Sequence, residues 1–70
     1  MKITINGEIK ELESEVNLNR LLELFSLPSQ RIAVELNREI IRREEYSSYA
    51  LRDGDILEIV RMVGGGAFEG

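Results

Sequence analysis

The 70-residue sequence predicts an α+β domain in which one helix covers one face of a mixed sheet. Three observations support this fold. Segments with the alternating period of half-buried strands lie at the start, middle and end of the chain, one segment has helical spacing, and turn residues separate them. A chain this short has room for one thin core. We therefore expect a single domain at 1–63 and a flexible tail at 64–70.

The chain opens with a predicted β-hairpin. Ile3 and Ile5 alternate with polar residues, and Asn6-Gly7 is a strong turn signal because both residues tolerate a positive φ. The returning strand at 8–13 departs from strict alternation, so we expect a bulge or a frayed end there.

One helix is predicted after this hairpin. Its N-cap is Asn17, and Pro28 closes it because the residue before a proline is disfavoured in a helix. Its apolar stripe recurs at i, i+3, i+4 and i+7, at Leu18, Leu21, Leu22 and Phe25.

Three further strands are predicted at 32–36, 39–41 and 56–63, with one helical turn in the connection at 42–49 and a tight turn at 51–55. The last strand is apolar on both sides, so it should lie centrally and pair in parallel with the first strand across the helical crossover. This order is the layout of a β-grasp fold. It has a mixed sheet of four to five strands covered by one α-helix, and the C-terminal residues leave the sheet edge as a free arm.

The composition excludes most catalytic chemistry. The chain has no cysteine and no histidine, which removes thiolate chemistry, Ser-His and Cys-His catalysis and the common zinc sites. A net charge of -4 repels a nucleic-acid backbone, and no apolar run approaches the length of a membrane span. We expect a cytoplasmic protein that is not an enzyme, holds no metal or cofactor itself, and contacts neither nucleic acid nor membrane.

Three carboxylates near the last strand, Asp53, Asp55 and Glu58, suggest a cation site. An EF-hand loop beginning at Asp53 would need a glutamate where Gly64 stands. The turn preferences of Asp and Gly favour a structural turn instead.

Two polar runs are interpreted as structural surface. The RREE run at 42–45 is typical of a self-neutralising surface, with a partner contact as the alternative. The YSSY run at 46–49 offers hydroxyls without a base to activate them. Neither run predicts a catalytic site.

Half of the six glycines stand together at Gly64, Gly65 and Gly66, directly after the last strand. A phosphate-binding loop would need a helix and a Lys-Ser or Lys-Thr pair after them, which the sequence does not supply. A frayed terminus and an arm that enters a partner's active site both remain, and composition does not choose between them. Extended, residues 63–66 reach roughly 13 Å, enough to enter a cleft.

Three stretches carry a resemblance to a known family: ITINGE at 3–8, VELNREII at 34–41 and LRDGDILEIVRMVGGG at 51–66. In a chain of this length and layout, they resemble the ThiS family, the small sulfur carriers of thiamine thiazole biosynthesis. The resemblance covers residues 1–66. It implies a ubiquitin-like β-grasp carrier without catalytic residues of its own.

The resemblance also implies a set of partners and a chemical role for Gly64, Gly65 and Gly66 as a delivery arm. A ThiF-like adenylating enzyme uses ATP and Mg²⁺ to convert the terminal glycine carboxylate into an acyl adenylate. A cysteine desulfurase relay then supplies sulfur, and the resulting thiocarboxylate donates it to thiazole synthase. The arm contributes by positioning the acyl carbon.

Residues 67–70 depart from the family pattern, which ends at the glycines. An internal Gly66 has no carboxylate to adenylate. The first interpretation is that a protease trims the tail, leaving Gly66 as the terminus, with Gly65 as the alternative. The others are that the four residues are not native, or that the chain is not a carrier as written.

Other functions fit the same fold. One is a sulfur carrier of another pathway, such as a MoaD-like subunit of molybdopterin synthesis or a carrier for amino-acid sulfur transfer. Another is a ubiquitin-like modifier joined to lysines, and a third is a non-catalytic binding module. The lack of prolines before the glycines favours ThiS over a MoaD-like chain.

Overall fold

Six strands and one helix make up the part of the chain that the computed structural model describes, residues 1–63 and 67–69, with side chains described through residue 61. The strands are β1 (Lys2–Ile5), β2 (Glu8–Glu11), β3 (Ile32–Leu36), β4 (Glu39–Ile41), β5 (Ile56–Val63) and β6 (Ala67–Glu69), and the helix is α1 (Leu18–Leu24). Short 3-10 turns lie at Ser29–Arg31 and Arg43–Glu45.

The main sheet has the strand order β2-β1-β5-β3-β4, which confirms the predicted mixed sheet with the last long strand at its centre. β1 runs parallel to β5, with Ile5 opposite Leu57. β3 runs antiparallel to β5 on the other edge, from Leu36 opposite Leu57 to Ile32 opposite Arg61. With α1 as the crossover after the first hairpin, this is the predicted β-grasp architecture.

Both hairpins close through residues with positive φ. Asn6 and Gly7 have φ of 49° and 83°, and Asn37 and Arg38 have φ of 49° and 73°. Two consecutive left-handed residues match the right-handed twist of the flanking strands. The turn predicted at Asn6-Gly7 is therefore confirmed, and a turn of the same kind at Asn37-Arg38 joins β3 to β4.

The bulge or frayed end expected in the returning strand is wrong: residues 8–11 pair one to one with β1, from Ile5 opposite Glu8 to Lys2 opposite Glu11. β2 stops at Glu11, but Leu12 is buried and still exchanges hydrogen bonds with Met1. The Leu12 amide donates to the Met1 carbonyl at 2.8 Å, and the Met1 amino group donates to the Leu12 carbonyl at 3.0 Å. Ile9 points to the opposite face, which explains why the spacing of these two residues breaks alternation.

The helix begins at the predicted N-cap, because the Asn17 Oδ1 accepts a hydrogen bond from the Arg20 amide at 2.7 Å. It ends at Leu24, and Ser26 takes a left-handed φ of 56° before Pro28 is reached. Within the described ranges no helix is long and apolar enough to cross a membrane.

The core lies between α1 and one face of the sheet. It includes the leucines of the helix stripe and the inward residues of the central strands, and Tyr46 and Leu51 from the connection complete it. The most deeply buried side chains are Ile3, Leu18, Leu21, Leu22, Val34, Leu36, Leu51 and Leu57.

The tail differs from the arm that the sequence predicts. Ala67–Glu69 return to the sheet as β6 and pair antiparallel with the end of β5, with Val63 opposite Ala67 and Arg61 opposite Glu69. The physical reason is an exposed edge, since β1 ends level with Leu57 and the unpaired backbone groups beyond it accept another strand. Residues 64–66 and 70 lie outside the described residues.

Candidate functional site

The candidate site begins where β5 ends. β5 is flanked by β1 and β3 in the main sheet, and its last residue, Val63, is followed directly by Gly64. Gly64, Gly65 and Gly66 lie outside the described residues, so the delivery arm there stays a prediction. The strand that leads to it is described in detail.

Three consecutive partners form hydrogen bonds with the edge of β5 that faces β1. β1 pairs with its first residues. The Asn6 carboxamide pairs with Ile59, accepting from its amide at 2.7 Å and donating to its carbonyl at 3.1 Å. β6 then pairs with residues 61–63. Since Arg61 is also opposite Ile32 of β3, β6 must lie on the same edge as β1.

A second asparagine bonds the start of β5 from the other edge. The Asn37 side-chain Oδ1 accepts from the Ile56 backbone amide at 3.0 Å, and the Asn37 backbone amide donates to the Ile56 carbonyl at 2.8 Å. Both asparagines sit in left-handed turns that place the carboxamide against the neighbouring strand. β5 is therefore a firmly bonded base for the segment that follows it.

Asp53 and Asp55 are used in a turn. The Asp53 Oδ1 accepts from the Lys2 amide at 2.6 Å, and the Asp55 Oδ2 accepts from the Arg52 amide at 2.8 Å. Glu58 stands apart, on the sheet face opposite α1. In the part of the chain that the structure describes, no group of three acidic side chains is placed to hold a metal ion. This geometry favours the structural turn over the cation site.

The 42–45 run forms a capped turn on the surface. The Glu45 Oε1 accepts from the Arg42 amide at 3.2 Å, and the Glu45 amide donates to the Arg42 carbonyl at 2.9 Å. All four side chains are exposed. The run thus has a structural use, and its contact with a partner stays a hypothesis.

The 46–49 run divides between core and surface. Tyr46 is only 3% exposed, and burial raises the pKa of its phenol, while the nearby Arg43 charge and a hydrogen bond to the Val34 backbone act in the opposite direction. The Ser48 Oγ donates to the Glu45 carbonyl at 3.1 Å. No periodicity in this run signals the burial of Tyr46, so its role in the core was missed.

Sequence reasoning also missed an apolar surface on the sheet face opposite α1. Ile9, Ile40 and Ile56 are 72%, 76% and 53% exposed. Ala33, Ile40 and Val60 line a shallow groove on this face. The adjacent pair Ile40-Ile41 could have signalled it, because neighbours in a strand point to opposite faces. Exposed apolar residues gathered on one face are typical of contact surfaces.

The fold, with a glycine run directly after its central strand, defines a small ubiquitin-like β-grasp protein. The chain belongs to the ThiS family, whose model matches residues 3–66. The sulfur carrier protein ThiS of Bacillus subtilis is 37% identical over 65 residues, which cover 91% of this chain and 98% of that one.

A solved structure confirms the fold. The crystal structure of the thiamine biosynthesis protein ThiS from Geobacter metallireducens superposes with a TM-score of 0.83 at 30% identity, covering 94% of this chain and all of that one. This chain is also 40% identical over 67 residues to a thiazole synthase of Paramagnetospirillum magneticum, covering 96% of this chain. The chain spans only about a fifth of the length of that enzyme and of the Magnetococcus marinus thiazole synthase.

Proposed function

We propose that this chain carries sulfur for thiamine thiazole formation, and that Gly66 becomes its C-terminal residue and holds the sulfur as a thiocarboxylate. The observation that carries the proposal is the family match, which runs through Gly66 and stops before the four-residue tail. The carrier of nearly equal length in Bacillus subtilis supports the carrier role, and the two thiazole synthases support the pathway.

The first step is removal of the tail. Hydrolysis of the Gly66-Ala67 peptide bond consumes one water, releases residues 67–70 and leaves a carboxylate on Gly66. Cleavage after Gly65 is the alternative. A tail-trimming protease must supply this step, because the sequence contains neither the cysteine nor the histidine on which common proteolytic sites depend.

Activation and sulfur transfer follow on partner enzymes. In a ThiF-like adenylating enzyme, a Gly66 carboxylate oxygen attacks the α-phosphorus of ATP and expels pyrophosphate, while Mg²⁺ offsets the phosphate charge. The terminal sulfur of a persulfide, supplied by a cysteine desulfurase relay, then attacks the acyl carbon and expels AMP. A thiol cleaves the resulting S–S bond and leaves the thiocarboxylate. Thiazole synthase takes the sulfur from it.

The chain's own contribution is positioning. The bonded strand β5 fixes the base of the arm, and glycines allow its backbone to approach a nucleotide closely. The chain is in this sense a co-substrate, and the reacting groups other than its carboxylate belong to its partners.

Reconstitution tests the proposal. Chains ending at Gly65, Gly66 and Gly70 are incubated with the ThiF-like enzyme of the same cell, ATP and Mg²⁺, and pyrophosphate release is measured. The chain ending at Gly66 should support release, whereas the full chain should not, because its Gly66 carbonyl is an amide. Equal release from the full chain would contradict the proposal, and greater release from the Gly65 form would move the site to Gly65.

A further inference from the structure

We propose that the edge of β5 at residues 61–63 is a strand-docking site. The chain's own β6 occupies it while the tail is present, and an extended backbone segment of the adenylating enzyme occupies it once the tail is removed. The identity of this partner rests on the proposed function. The occupation by β6 does not.

The direction of the backbone groups defines the site. The Leu57 carbonyl accepts from the Asn6 backbone amide at 2.9 Å. The backbone N–H and C=O of Ile59 both pair with the Asn6 side chain. Residues two apart in a strand point their N–H and C=O groups to the same edge. Arg61 and Val63 therefore point to this edge as well, beyond the reach of β1, and there β6 pairs with them.

β6 is built to be displaced. It is three residues long, lies at the end of the chain and joins β5 through three glycines. A short segment at the end of a chain that pairs with a single strand opens at low free-energy cost. β6 can thus protect the edge without contributing much to the stability of the domain.

While β6 is paired, it also controls the direction of the chain. Val63 lies opposite Ala67 in an antiparallel register, so residues 67–69 run back along β5. While residues 67–69 are paired in this direction, the chain cannot extend into a partner's cleft. Removal of the tail then has two effects: it creates the Gly66 carboxylate and it frees the edge.

The occupant that fits the free edge is an extended segment of the adenylating enzyme. A strand added to a sheet edge gains affinity from main-chain hydrogen bonds. Gly64, Gly65 and Gly66 offer no side chains for recognition. The enzyme must therefore bind their backbone, or the end of β5 next to them. A segment docked beside Val63 lies within roughly 10 Å of an extended Gly66, so it would hold the arm at its base.

Amide hydrogen exchange tests the occupation by β6. In the full chain the Arg61 and Val63 amides should exchange slowly, and in the chain ending at Gly66 they should exchange faster. The Val60 amide is the control because it points to β3, where Val60 lies opposite Ala33, and its exchange should not change. Equal exchange of Arg61 and Val63 in the two chains would overturn the proposal.

Two proline variants of the full chain test the docking. Glu69→Pro removes an N–H that points at Arg61, while Phe68→Pro removes one that points away from β5 and is the matched control. Binding to the adenylating enzyme is measured without ATP. We expect the full chain to bind about tenfold more weakly than the Gly66 form, because its docking edge is mostly occupied. Glu69→Pro should recover most of that affinity although it has no Gly66 carboxylate, and Phe68→Pro should not.

Two results would overturn the docking site. One is equal affinity of all four chains. The other is a Glu69→Pro variant that binds as weakly as Phe68→Pro while the Gly66 form binds tightly, which would assign the difference to the carboxylate or to the bulk of the tail. Either result leaves the carrier function to be decided separately by pyrophosphate release.

Discussion

The Asn6 carboxamide pairs with both backbone groups of Ile59, a residue 53 positions later in the chain. The side chain stands where the next residue of β1 would stand if the strand continued. It joins the first hairpin to the strand that leads to the glycines, and it marks the point at which β1 gives way to β6.

Replacing Asn6 by glycine should cost about 1–3 kcal/mol in the free energy of unfolding, because two partly buried backbone groups of Ile59 lose their partner. Glycine keeps the left-handed φ of 49°, so the turn itself is retained. Chemical denaturation measures the change. Asn6→Asp is a companion variant whose carboxyl can donate only when protonated. Its loss of unfolding free energy relative to the native chain should therefore become smaller in acid. An unchanged denaturation midpoint for Asn6→Gly would show that the Asn6–Ile59 pair does not stabilise the domain.

The helix stripe should dominate stability. Leu21 is fully buried, and Leu21→Ala should destabilise the domain by about 2–5 kcal/mol through lost transfer free energy and a residual cavity. Ile9→Ala is the matched control, since Ile9 is largely exposed and its truncation should change stability by less than about 0.5 kcal/mol. Thermal and urea unfolding measure both. Similar losses from the two variants would contradict the assigned core.

Local signals predicted most of this fold. The Asn6-Gly7 turn, the Asn17 cap and the leucine stripe each depend on residues close in sequence, and each is confirmed. The burial of Tyr46 and the pairing of β6 were not predicted. They depend on which long-range edge or cavity is left open after the other elements pack, and no local pattern encodes that.

The candidate site was predictable only in part. The glycine run is visible in the sequence and lies within the family match, while the role that the resemblance gave it stays a prediction. The apolar face around Ile40 required the strand registers, since its residues come from four strands. The asparagine contacts to β5 likewise join residues far apart in the chain.

Tyr46 should make stability sensitive to alkali. Burial raises the pKa of its phenol, so the folded state favours the neutral form. The stabilisation is complete below the unfolded pKa of about 10 and is lost as pH rises through the higher folded value. Tyr46→Phe should therefore lose less unfolding free energy than the native chain between neutral and alkaline pH. Identical pH profiles of the unfolding free energy for Tyr46→Phe and the native chain would exclude this role for Tyr46.

Asp55 should act as a turn residue and not as a cation ligand. Its carboxylate accepts from the Arg52 backbone amide and from the Asn37 Nδ2 in an exposed turn, so Asp55→Ala should cost about 0.5–1.5 kcal/mol of unfolding free energy. Added Ca²⁺ should leave the melting temperature of the native chain unchanged. A calcium-dependent rise that Asp55→Ala abolishes would restore the cation site.

The central claim is that Gly66 becomes a sulfur-bearing terminus, and intact mass spectrometry of the protein from its native cell tests it most directly. The account predicts a species that lacks residues 67–70 and, during thiazole synthesis, a second species heavier by about 16 Da, from one oxygen replaced by sulfur. A chain that keeps its tail and stays unmodified while the cell makes thiazole would contradict the account.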